Sequence, residues 1–307
     1  MKGPSIPLSD PRAQAAVGLI EERYVEGVGF ANRPGGTYRP DAACWAVMAL
    51  RAAGLESDAI DKARRSLAEG QGDDGRVSIS PANPQACWPT PLAVLAWLGA
   101  PQYAQSQDSA IRFLLDFKHV GVPEDVEAGQ DEDELAAGWP WIAKTHSWVE
   151  PTAYALVALR ACRRAEHPRC RQAVRMLIGR QLQAGGWNYG DTVTFGQEMR
   201  PMPETTGMAL AALAGRTPRE TVEHSIAYLR SQWPELSTPI SLAWTILGLQ
   251  AWDEPLERPS ERILHVLARQ QQRGPYDTIA LSLLSLAWHC QAGLVRSFER
   301  LGLQEGT

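Results

Sequence analysis

Cysteine is sparse and unpatterned in this chain. Its five cysteines, Cys44, Cys87, Cys162, Cys170 and Cys290, are odd in number and dispersed, and none are spaced as CxxC. Neither a disulfide framework nor a cysteine–zinc cluster is expected, and a reducing compartment fits. Basic residues are nearly all arginine, scattered over helix faces with no basic block, and the formal net charge is -5. Nucleic acid is therefore not an expected partner. No apolar run is long enough to span a membrane. MKGPSIPLSDPR at the start has none of the apolar stretch a signal peptide needs. The expected location is the cytoplasm, with peripheral membrane contact left open.

What the chain has is apolar residues, 44% of the total, and eleven tryptophans. At 307 residues, one large domain is the simplest expectation. Two kinds of helical segment alternate. SDAIDKARRSLAEG (57–70), HPRCRQAVRMLIGRQ (167–181) and TPRETVEHSIAYLRS (217–231) are charged and amphipathic. The last opens with Thr217 as a cap, Pro218 at the first position and Glu220 three residues on. GMALAALAG (207–215), PISLAWTILGLQAW (239–252) and TIALSLLSLAWHC (278–290) carry no charged residue, and segments 41–54, 90–99 and 151–162 are nearly as apolar. A helix apolar on every side must be enclosed on every side.

Charged helices are expected near 10–24, 57–70, 105–118, 167–183, 217–232 and 259–272, and an apolar one follows each, near 41–54, 89–99, 151–163, 205–215, 239–252 and 277–291. Six pairs at this interval predict an all-α fold, an (α/α)6 toroid of six inner apolar helices within six outer amphipathic ones, spanning 1–307. An open superhelix is the alternative. Links from charged to apolar helices are the longer ones, notably 71–88, 119–150 and 184–204. They gather at the end holding the inner N-termini, so a functional mouth is expected there.

Acids mark the inner-helix starts at that mouth: Asp41, Glu150, Glu204 and Asp277. Capping and dipole compensation account best for the two aspartates. Glutamate caps poorly, so Glu150 and Glu204 are the candidates for chemistry, with His146 nearby. Trp88, Trp139, Trp141, Trp148 and Trp187 precede inner helices at the mouth, and Trp45 and Tyr154 lie within them. Aromatic faces stabilise cations and stack on apolar chains or sugars. Core packing competes as an explanation for the helical set, and aromatic clamping between helix pairs for Trp187. Asp131, Asp133 and Glu134, in DEDE of the longest connection, read first as a solvated acidic loop. Mg²⁺ is the one cofactor with any footing, and only there.

The turn QLQAGGWNYG (181–190), the following PETTGMALAALAG (203–215) and SWVEPTAYALVAL resemble the repeats of squalene–hopene cyclases and protein prenyltransferase β subunits, over about residues 40 to 290. The resemblance implies the toroid and an apolar, isoprenoid small molecule as its partner. Class II cyclases use a DxDD motif whose middle acid protonates an alkene. In SWVEPTA that acid falls on Glu150, and the flanking positions fall on Trp148 and Pro151. The zinc ligands of prenyltransferases are not matched, since Asp41 and Cys44 are off the DxC spacing and PYDTIALSLL lacks the histidine. No metal site is expected. Three functions stay open: a cyclase- or prenyltransferase-like isoprenoid enzyme; a non-catalytic lipid- or isoprenoid-binding module, alone or with a protein partner; and a carbohydrate-active toroid using Glu150 and Glu204 as an acid–base pair.

Overall fold

A computed structural model describes residues 10–117 and 137–302. Among the described residues the chain is all-α apart from two short hairpins. Its apolar helices are α2 (Pro40–Ala52), α4 (Pro89–Ala96), α6 (Val149–Ala161), α8 (Pro203–Leu213), α10 (Pro239–Ala251) and α13 (Thr278–His289). Between them come the amphipathic helices α1 (Pro11–Glu21), α3 (Asp58–Glu69), α5 (Ala104–Asp116), α7 (Pro168–Gly179), α9 (Arg219–Gln232) and α11 (Pro259–Ala268), the last followed by one short turn, α12 (Gln270–Arg273). Proline stands in the first turn of α1, α2, α4, α7, α8, α10 and α11, where its missing N–H costs nothing. At α9 the expected capping box does not form. The helix starts at Arg219, Pro218 occupies the cap position, and no side chain caps it.

The apolar segments are enclosed as their composition requires. Every residue from Asp41 to Leu50 is buried, as is every residue from Thr205 to Leu213. Contacts run from α2 to α4, α6, α8, α10 and α13, and from α13 back to α2. The amphipathic helices lie against this set: α3 on α2 and α4, α9 on α8 and α10, α11 on α10 and α13, α1 on α13 and α2.

Two features were not foreseen. Hairpins occupy two of the connections into apolar helices, β1 (Tyr24–Val25) with β2 (Gly29–Phe30) and β3 (Val193–Thr194) with β4 (Gln197–Glu198). A last helix, α14 (Leu294–Leu301), packs on α6, α8 and α10 and buries Leu294, Val295 and Phe298. The C-terminal ends of the apolar helices are tied by arginines. Arg64 donates to the carbonyls of Ala96 and Leu98, Arg296 to that of Ala251, and Arg160 to that of Ala214. Cations there suit the negative ends of the helix dipoles. No single described helix is long and apolar enough to cross a membrane.

Candidate functional site

The first turns of the apolar helices lie beside the connections that lead into them, and a repeated threonine fixes this arrangement. The backbone N–H of the incoming segment donates to a threonine hydroxyl: Val77 to Thr90 (3.0 Å), Trp139 to Thr152 (2.9 Å), Trp187 to Thr206 (3.0 Å). Each of these hydroxyls also donates to the carbonyl of the same incoming residue, and at α13 Thr278 Oγ1 donates to the Ala31 carbonyl at 2.6 Å. All four threonines are fully buried.

Two residues before Thr152 and Thr206 stand Glu150 and Glu204. Glu150, on α6, accepts from the hydroxyl of Tyr154 one turn below, at 2.5 Å. Glu204, on α8, accepts from Tyr189 of the preceding connection (3.0 Å) and from Ser241 of α10 (2.8 Å). Burial pushes the Glu150 carboxyl up to about 7, the Tyr154 hydrogen bond pulls it down, and the charge of Glu204 pushes it up again. Tyr154 is itself held well above its ordinary range, by burial first and then by the neighbouring Glu150. Tyr189 is pushed up to about 12 by burial and by its bond to Glu204. Beneath the two acids lies an aromatic cluster. Trp45 meets Tyr154 and Trp244 edge to face, at centroid distances of 5.6 and 6.0 Å, and Tyr154 and Trp244 are 6.0 Å apart. All three are buried.

The other sequence candidates are placed as follows. Asp41 forms a fork with Arg39, with Oδ1 accepting from Nε at 3.0 Å and Oδ2 from Nη2 at 2.5 Å. Asp277 caps α13 by accepting from the Ala280 N–H at 2.8 Å. His146 is exposed and stacks on Trp148 with ring centroids 4.6 Å apart, while the hydrogen-bond donor to Glu150 is Tyr154. Trp148 in turn packs over Gly190, where a Cβ would meet its ring at 2.9 Å. Trp88 and Trp141 are half-buried and meet edge to face at 5.5 Å.

Trp139 and Trp187 do not line a mouth. Both are fully buried, with indole N–H groups donating to the carbonyls of Leu114 (3.1 Å) and Leu177 (2.7 Å), in α5 and α7. The guanidinium of Arg169 covers the Trp139 ring at 4.2 Å. Trp139 thus joins α5 to α7 of the next pair, whereas the bonds of Trp187 stay within its own pair, to α7 and α8, and show none of the clamping between pairs expected of the QLQAGGWNYG turn. Asp131, Asp133 and Glu134 lie outside the described residues. Among the described residues, no group of three or more His, Cys, Asp or Glu is placed to hold a metal ion.

Sequence reasoning did not name Ser241, and it read Tyr189 as packing over a helix end and Trp244 as core. Ser241 becomes a partner of Glu204 through the packing of α8 on α10, and Tyr189 through the fold of the connection that enters α8.

No known protein family's profile matches this chain, and no curated protein matches it. Among solved structures, that of a protein from Actinoplanes is similar in fold, with a TM-score of 0.59 at 14% identity, over 94% of this chain and 98% of that one.

Proposed function

We propose that the six apolar helices form the inner wall of an (α/α)6 toroid of the terpene cyclase and prenyltransferase kind, and that its mouth is an acid site acting on an apolar isoprenoid. The supporting observation is the Glu150 carboxyl, half protonated near pH 7 above an aromatic cluster. A general acid works best with a pKa close to the working pH. Glu150 Oε1 accepts from Tyr154, which leaves Oε2 as the oxygen that carries the proton. Transfer of that proton to an alkene carbon leaves a carbocation, which aromatic faces stabilise, and the Tyr154 hydroxyl steadies the carboxylate left behind. Glu204, held by Tyr189 and Ser241, is the candidate base.

A non-catalytic binding module is the second reading. The void at the centre of the helices is only about 10 Å³, which favours a ligand gripped at the mouth over one swallowed whole. The exposed apolar residues Ile142, Tyr189, Val193, Phe195 and Ile240 lie on connections or first turns at that end, which suits contact with a membrane or a protein partner there.

Incubation with squalene, farnesyl diphosphate and geranylgeranyl diphosphate separates the readings. Turnover lost in Glu150→Gln, with the fold retained, supports the enzyme. Binding with no product supports the module. Neither binding nor product from any of the three would remove both.

A further inference from the structure

The void at the centre of the apolar helices has one wall that none of them supplies. Its lining, with Trp45, Tyr154, Met208 and Trp244, comes from α2, α4, α6, α8 and α10, except for Leu294, the first residue of α14. α14 turns 84° away from α13 and crosses the far ends of α10, α8 and α6, away from the first turns that carry Glu150 and Glu204. Gly293 lies against Ala251, Arg296 donates to the Ala251 carbonyl, and Gly302 reaches Leu98 just beyond α4. Leu294 is thus the floor of the void.

α14 is held lightly for a helix in that position. Leu294, Val295 and Phe298 seat it, and two ion pairs clasp it: Arg160 with Glu299 at 3.2 Å and Arg296 with Asp253 at 2.8 Å. The clasps face solvent, with the acid side chains 38% and 74% exposed. Exposed pairs contribute little and are screened by salt. Under the helix lies a crevice of about 80 Å³, lined by Val295, Ala211, Ala214 and Ala251 and wide enough for water. The link from α13 is only 290–293, and Gly293 stands there at φ +89°, a conformation open to glycine. Few buried contacts and exposed bonds mark a unit that opens by itself.

We infer that α14 is a hinged floor, which swings off the apolar helices about Ala292–Gly293 as one unit and opens the centre of the molecule at the end opposite Glu150 and Glu204. The device is independent of what the mouth binds.

Cysteine labelling of the full chain with N-ethylmaleimide in native buffer, read by peptide mass mapping, tests it. Cys290 is 1% exposed beside the hinge, and Ser297 of α14 is its hydrogen-bonding neighbour. Burial pushes its thiol up to about 12, so it is unreactive while covered. Cys44 is fully buried within α2 and reacts only when the apolar helices part. Cys290 should be labelled faster than Cys44 by roughly tenfold or more. Glu299→Gln with Asp253→Asn removes both clasps and should speed Cys290 by roughly two- to twentyfold, the range for two exposed pairs, with Cys44 unchanged. Wild type in concentrated salt should respond in the same direction, an arm that needs no variant. Amide exchange in α14 should rise together with Cys290 labelling. Equal labelling of the two cysteines, clasp removal that speeds both alike or neither, or α14 amides that stay protected while Cys290 reacts would overturn the inference.

Discussion

Glu150 should show its environment in the stability of the protein as well as in any chemistry. Its ordinary pKa of 4.5 rises to about 7 in the fold, with burial as the largest cause. Below 4.5 both folded and unfolded chains hold the proton, and nothing is lost. Between the two values the unfolded chain ionises first, so stability falls as pH rises, by at most about 3 kcal/mol once pH exceeds 7. Glu150→Gln keeps an acceptor for Tyr154 and cannot ionise. Its melting temperature should exceed that of wild type at pH 8 and match it near pH 4; an offset equal at both pH values would show that folding does not shift the carboxyl. If Glu150 is the acid, turnover should also drop about tenfold per pH unit above 7. Phe195 offers a second test. It stands at φ +51° beside Gly196 in the two-residue turn of the β3–β4 hairpin, fully exposed. Such turns favour Asn–Gly, so Phe195→Asn should raise the urea midpoint by the equivalent of about 1 kcal/mol. At this scale the sequence was partly readable. Glutamate's weakness as a cap set Glu150 and Glu204 apart from the two aspartates, of which Asp277 caps its helix and Asp41 instead pairs with Arg39. That Tyr154 rather than His146 holds Glu150 depends on side-chain direction one helical turn below, and spacing alone left the partner open.

α8 and α10 approach each other closely. A Cβ on Gly248 would lie 2.7 Å from the Cα of Gly207, and one on Gly207 would overlap the carbonyl of Trp244. Backbone meets backbone here, with no flexible side chain to give way. Gly248→Ala should therefore destabilise by about 3 kcal/mol or more, although alanine is the better helix former, and the denaturant midpoint would report it. A rise in midpoint would mean that propensity outweighs packing at this crossing. The existence and alternation of the helices were legible, because charge and its absence mark which helices are covered. The threonine ties were not. Thr90, Thr152 and Thr206 sit in first turns, where threonine reads as a cap or a surface residue, yet each is buried and bonded to the incoming chain. Trp139 and Trp187 misled for a related reason. Their place in long connections suggested a rim, whereas the connections double back and press these indoles under the ends of α5 and α7.

At the scale of the whole molecule, the decisive contact joins its two ends. α13 packs on α2, and the N–H and hydroxyl of Thr278 bond to the carbonyls of Asn32 and Ala31 at 2.9 and 2.6 Å. In an open array of repeats each unit touches only its neighbours, and the terminal units can melt alone. Here the first apolar helix has the last as a neighbour, so neither is terminal, and loosening one end should loosen the other. Urea unfolding should then be a single transition, with far-ultraviolet dichroism and tryptophan fluorescence superimposed. Thr278→Val removes the hydroxyl and strands the Ala31 carbonyl, which should cost about 1–3 kcal/mol. In a closed structure that loss shifts both curves together to lower urea. A variant in which an early, partial transition splits from the main one would show instead that the α1–α2 end unfolds on its own, and the proposed toroid would lose its closure.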